Sequence, residues 1–168
     1  MRHDARFLAS EILRRFNNKI KLDTLFEKIF TKYNPDSRVR SRTVAIVNDI
    51  IRLTGRIDFM IKNVSGKKNS QIARPILSIL RIGFYEIFMD DHIPDYAAVD
   101  SAVELANKIS NRKSAGFVNA VLRKLVIKKN NDQNWYSSLS NEPEWNSMPT
   151  WIQDRWKKNL GSEGLIEM

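Results

Sequence analysis

The sequence predicts an all-α protein, a bundle of five to seven helices followed by a short helical appendage. Three observations carry this expectation. Apolar residues recur at steps of three and four along most of residues 5–125, the period of a helix with one buried face. No alternating run bounded by turn residues competes as a strand. The polar breaks are short, SGKKNS at residues 65–70 and SNRKS at residues 110–114, lengths that suit connections between packed helices.

The first helix is marked by Ala5, Leu8, Ala9, Ile12, Leu13 and Phe16, which leaves Arg2, Arg6, Arg14 and Arg15 on the outside or at its margins. After a break at residues 17–19, Leu22, Leu25, Phe26, Ile29, Phe30 and Tyr33 repeat the pattern. The triplet Asn34-Pro35-Asp36 stops it, because proline disfavours helical geometry in the residue before it. Val39, Thr43, Ile46, Ile50, Leu53, Ile57, Met60 and Val64 then form a seam long enough for a single helix. A single long helix is the expectation, with Gly55 as the place where it could kink or divide in two. Residues 76–89 are apolar on nearly every side, as befits a helix at the centre of an all-helical fold, and Gly83 there is read as a close-packing position. Pro94 suits the first position of the next helix, whose inward face is Val99, Ala102, Val103, Ala106 and Ile109. A last core helix carries Phe117, Val118, Val121, Leu122 and Leu125.

With 168 residues and 42% hydrophobic content the chain supports one core rather than two. The expected division is a domain over residues 1–129, then a linker and a further segment over 130–168. The chain contains no cysteine, which excludes a disulfide scaffold, thiolate metal sites and a cysteine nucleophile. It begins without the continuous apolar stretch of a signal peptide and has no run approaching a membrane span, so a soluble cytoplasmic protein is expected.

The formal charge of +9 is strongly blocked. Residues 83–105 hold six acidic side chains and no basic one, whereas residues 106–129 hold seven basic side chains and no acidic one. Such blocking suits a positive face turned toward a polyanion, and nucleic acid is the leading partner. Lysine-rich surfaces also serve solubility, so charge alone does not separate the two. Lys108, Arg112 and Lys113 make the better case, since a loop beside a helix start approaches phosphates with little desolvation. Asn119 is expected to satisfy a backbone group at a helix end, and Arg123 either to pair with Glu86 or Glu104 or to join the basic face. His3 and His92 are the only histidines and stand far apart. Glycines never form a phosphate-binding loop, and Asp90-Asp91 reads as a loop and cap, so no catalytic site is expected.

The segments LRIGFYEIF, IPDYAAVDSAVELA and GFVNAVLRKL resemble the NusB fold family, and the similarity extends back through IVNDIIRLTGRIDFMI to ARFLASEIL. That family includes antitermination factors and the amino-terminal domain of the ribosomal RNA cytosine-C5 methyltransferases called RsmB, Sun or Fmu. The sequence departs from the family pattern at Asp49, where a small residue is usual. The resemblance implies an RNA-binding helical bundle, with RNA contacts at positions matching Arg2 and Arg6 and at the stretch from Lys113 to Phe117; Lys124 extends this surface. The tail MPTWIQDRWKKNLGSEGLIEM is similar to the segment that opens the next domain of the methyltransferases. The expectation is therefore the amino-terminal, RNA-positioning part of an S-adenosylmethionine-dependent methyltransferase, holding no catalytic or cofactor site itself. Its expected partners are small-subunit ribosomal RNA and its own absent catalytic domain. The alternative is a NusB-like antitermination factor working through RNA and a ribosomal protein.

Overall fold

Short polar side chains cap four of the eight α-helix starts among the described residues. The computed structural model describes residues 3–142 and Trp145. Helix α1 (Ala5–Arg15) begins where the Asp4 carboxylate accepts the Phe7 amide at 2.9 Å. Helix α2 (Leu22–Tyr33) ends at Asn34 in the left-handed conformation, φ 43°. Asp36 caps α3 (Ser37–Arg52) through the Val39 amide at 2.9 Å. Helix α4 (Thr54–Ser65) ends at Gly66, whose φ of 70° suits a residue without a Cβ. A single 3-10 turn (Asn69–Gln71) leads to α5 (Arg74–Met89), which carries Pro75 in its first turn. Then come α6 (Asp95–Ile109), α7 (Arg112–Asn131) and α8 (Gln133–Leu139), with Asn111 capping α7 and Asp132 capping α8.

The bundle is built around α5, which packs against α1, α3, α4, α6 and α7. From Ile76 to Ile87 every residue of α5 except Arg81 is buried. Gly83 makes its crossing with α7 possible. A Cβ there would lie 2.8 and 2.9 Å from the two terminal methyls of the fully buried Leu122. The expected packing role of Gly83 is thus realised.

Charges on α5 find partners on neighbouring helices. Glu86 is held by Arg6 of α1, and Arg81 makes a two-pronged pair with Asp58 of α4, both contacts at 2.8 Å. Asp90, just past α5, pairs with Arg42 of α3. The Tyr85 hydroxyl donates to Asp49 at 2.6 Å, which gives the departure from the family pattern at Asp49 a local role. Burial and then Asp49 raise the Tyr85 hydroxyl far above its ordinary value.

Three local expectations are corrected. The long seam over residues 39–64 divides at Leu53, not at Gly55. The Thr54 hydroxyl donates to the Ile50 and Ile51 carbonyls at 2.8 and 2.9 Å, competing with the helical ladder at that point. Pro94 stands outside α6 in extended geometry, with Asp95 as the first helical residue. Residues 112–114 belong to the first turn of α7, so Arg112 and Lys113 are helical rather than on a loop.

The packed body continues past residue 129, where a linker is expected from the sequence. Trp135 of α8 is buried and donates its indole N–H to Asn63 of α4 at 2.8 Å. Tyr136 stacks on Phe88 of α5 and meets Trp145 edge-on. The Arg56 guanidinium lies over the Trp145 ring and donates to its carbonyl. The helix expected over residues 149–156 lies outside the described residues.

The close approach at Gly83 predicts a change of sign. Gly83→Ala should lower stability by about 1–2 kcal/mol, because overpacking against a buried leucine outweighs the gain in helix propensity. In a Leu122→Ala background the same substitution should be neutral or stabilising by up to about 1 kcal/mol, read from urea unfolding of the four proteins.

Candidate nucleic-acid interface

The cations expected to meet a polyanion fall into two groups. The arginines of α1 are committed inside the protein. Arg6 donates through Nε to both oxygens of the buried Glu86, at 2.8 and 3.1 Å. Arg14 and Arg15 both engage Glu11, at 2.8 and 2.6 Å. Burial raises the Glu11 carboxyl, and the hydrogen bonds from Arg14 and Arg15 outweigh it, so the group titrates below its ordinary value. At Glu86 burial wins over the Arg6 charge and the pKa is raised. Arg2 lies outside the described residues.

Beside this end of α1, His3 stacks on Phe7 with ring centroids 4.2 Å apart and meets Tyr33 edge-on. Lys108, on the last turn of α6, places its ammonium 5.3 Å from the Phe7 ring centre. Asp4, Arg6, Phe7, Ser101, Glu104 and Lys108 line a shallow cleft of about 220 Å³ here. Burial first, then Lys108, lowers the His3 pKa, so this imidazole resists protonation beside the Lys108 ammonium.

The second group surrounds the start of α7. The Asn111 side chain accepts from the Ser114 amide at 2.8 Å. Arg112 and Lys113 follow at once, exposed and without a carboxylate partner among the described residues. Helix starts favour anions, because their unpaired amide groups carry partial positive charge. Two cations in the first turn therefore add to the helix field instead of offsetting it. Phe117, one turn along and half-buried, lies beneath Lys67, whose ammonium is 4.9 Å from the ring centre. Lys67, Gln71, Ala73, Lys113 and Phe117 line a cleft of about 280 Å³ whose floor includes Ile72 and Ile76.

Of the expected residues, Lys113 and Phe117 are brought together here with Arg112 adjacent; Arg6 and Lys108 form the separate cleft beside α1. Lys124 stands exposed farther along α7, away from both. Lys67 and the neighbouring Lys68 carry the positive surface across from Lys113, yet in the sequence they read only as a polar loop. Nothing local links residue 67 to residue 117. One arm of the Arg123 expectation is removed, and the Asn119 expectation is corrected. Arg123 pairs with neither Glu86 nor Glu104 and donates to Asn119 at 3.0 Å, one turn back on α7. Asn119 consequently serves a side chain in mid-helix rather than a backbone group at a helix end.

An all-helical bundle with a cation-rimmed aromatic cleft at a helix start has the form of a nucleic-acid-binding module. A family model described as the NusB family matches residues 3–126, and the chain belongs to that family. The transcription antitermination protein NusB of Acetivibrio thermocellus is 31% identical over 129 residues, covering 74% of this chain and 88% of the relative. Its namesake from Ruminiclostridium cellulolyticum is 42% identical over 81 residues, 48% of this chain and 56% of the relative. That from Lachnoclostridium phytofermentans is 38% identical over 73 residues, 43% of this chain and 55% of the relative. The chain thus spans little more than half the length of two of these relatives. They overturn the expected methyltransferase parentage, since they are named as antitermination proteins. Among the described residues, no helix is long and apolar enough to cross a membrane.

The pairing of Arg6 with Glu86 is open to test. Arg6→Ala should cost about 2–4 kcal/mol at neutral pH, toward the low end for buried pairs because Arg6 keeps 26% exposure. A carboxyl with a raised folded pKa contributes most to stability at low pH and loses that contribution as pH rises through the raised value. The penalty of Arg6→Ala should therefore shrink on mild acidification as Glu86 takes up its proton, measured by urea unfolding at neutral and mildly acidic pH.

Proposed function

We propose that this chain is an RNA-binding regulatory factor of the transcription antitermination type, working in the cytoplasm, with its RNA-binding unit in residues 1–129. The observation that carries this reading is the start of α7. There Arg112 and Lys113 reinforce the helix field, and Lys67 and Lys113 flank a half-buried Phe117. This arrangement binds phosphates through the cations and the helix end, while the Phe117 face offers a stacking surface to an unpaired base. Lys67 would move from the ring to a phosphate as the base arrives. Arg6 acts through Glu86 to hold α1 in place, and the cleft with Lys108 extends the RNA-binding surface toward the amino terminus. The RNA is ribosomal, of the small subunit, and a ribosomal protein acts as co-partner. Support for the regulatory role comes from the family membership and the antitermination name shared by the relatives. No cofactor is needed for such binding.

The test is a binding titration of the whole chain against a small-subunit ribosomal RNA fragment at several salt concentrations. The logarithm of affinity should fall linearly with the logarithm of salt. Replacing Lys108, Arg112 and Lys113 together by glutamate should reduce that slope by about one for each phosphate no longer neutralised. Phe117→Ala should weaken binding by about 1–3 kcal/mol while leaving the slope unchanged. Binding that ignores salt, or that is absent at low as well as physiological salt, would sink the proposal.

A further inference from the structure

The reversal of charge between α6 and α7 is not used at the α7 start, and it has a second consequence at the other end of this helical hairpin. There Tyr96 is 72% exposed and Ile127 is 58% exposed, large apolar side chains left mostly open to solvent. They lie in one groove of about 360 Å³ with Val99 and Val126 between them, and Asp100 and Arg123 complete its lining. Asp100 comes from the acidic helix and Arg123 from the basic one. Both are exposed, and they form no ion pair with each other although they line the same groove. Arg123 is turned to its own helix, toward Asn119.

We propose that this groove is an interface with a second copy of the same chain, packed about a two-fold axis. The argument for that occupant is charge complementarity. The groove has an apolar centre with one charge of each sign at its margin. A polyanion is disfavoured by Asp100 and by the lack of further cations, and a basic segment is disfavoured by Arg123. The surface that fits is apolar in the middle and carries both signs, and the groove itself has that description. In a two-fold contact each residue pair occurs twice, so Asp100 of each copy faces Arg123 of the other while Tyr96 and Ile127 meet at the centre. Exposed tyrosine beside aliphatic residues, bounded by charge, is the usual make-up of an interface centre and rim. The groove lies about ten residues along α7 from Lys113 and Phe117, roughly 15 Å at a helical rise, so pairing leaves that cleft open.

The test is sedimentation equilibrium of the whole chain from micromolar to near-millimolar concentration. The mass should rise from one chain to two. Ile127→Asp should hold the protein at one chain. Asp100→Arg and Arg123→Asp should each weaken self-association roughly tenfold or more, because each sets like charges face to face twice. A mixture of those two charge variants should pair again, since arginine at 100 in one copy then meets aspartate at 123 in the other, and the reverse contact is wild type. That recovery occurs only if two copies share the groove. All three positions are exposed, and unchanged far-ultraviolet circular dichroism confirms that the variants are folded. A mass of one chain throughout, a dimer indifferent to Ile127→Asp, or a mixture that fails to recover overturns the proposal.

Discussion

The bundle is organised around α5, and α7 approaches it closely at Gly83. Because that position has no side chain, Leu122 lies directly against the α5 backbone. The remaining helices enclose α5 so fully that its buried polar groups need protein partners, which Ser78 finds in its own helix at the Pro75 carbonyl and the charged side chains find on other helices. The ion pairs follow from this enclosure. Glu86 draws Arg6 from α1, Arg81 meets Asp58 from α4, and Lys129 of α7 donates to the Ile87 carbonyl at 2.7 Å and to Asp95 at 2.9 Å. These contacts tie α1, α4, α6 and α7 to the same central helix, and Gly83 sets how closely α7 approaches it.

The two kinds of cation serve different ends. Arginine, with a planar fork of donors that suits a carboxylate held away from water, is paired with carboxylates at Arg6, Arg14, Arg15, Arg42 and Arg81. Lysine, a compact and well-hydrated charge, is left exposed at Lys67, Lys68, Lys108, Lys113 and Lys124. At the start of α7, Arg112 joins Lys113 in this exposed set. A net charge of +9 therefore does not show which cations are already paired with carboxylates and which are left to a partner. The field that a polyanion meets is set by a few residues around one helix start.

The helices were legible because burial imposes its period on the sequence, as in the unbroken seam of α1 and the apolar α5. Their joints were less so. The break at Leu53 rests on a hydroxyl one residue later that reaches back to two carbonyls, and a threonine in such a seam has no distinctive signature. Gly55, the stronger breaker by composition, sits inside α4 without ending it. The aromatic and basic residues of the cleft at α7 could be named individually, but the contribution of Lys67 and Lys68 could not, since it requires chain segments some fifty residues apart to meet. The same limit applies to Glu86. Its partner lies 80 residues away, and Arg123, nearer in sequence, is occupied within its own turn.

Trp135 and Trp145 have a consequence of another kind. All four tryptophans of the chain lie between residues 135 and 156, and none lies in α1–α7. The two described are buried against α4, α5 and α7, one under the Lys128 ammonium and the other beneath Arg56. Tryptophan fluorescence of this protein, excited apart from tyrosine, is consequently a reporter of its final segment and not of the bundle. Circular dichroism, dominated by the seven preceding helices, reads the bundle. The molecule thus carries two optical channels separated along its chain, and comparing them distinguishes undocking of the carboxy-terminal helix from cooperative unfolding without any added label.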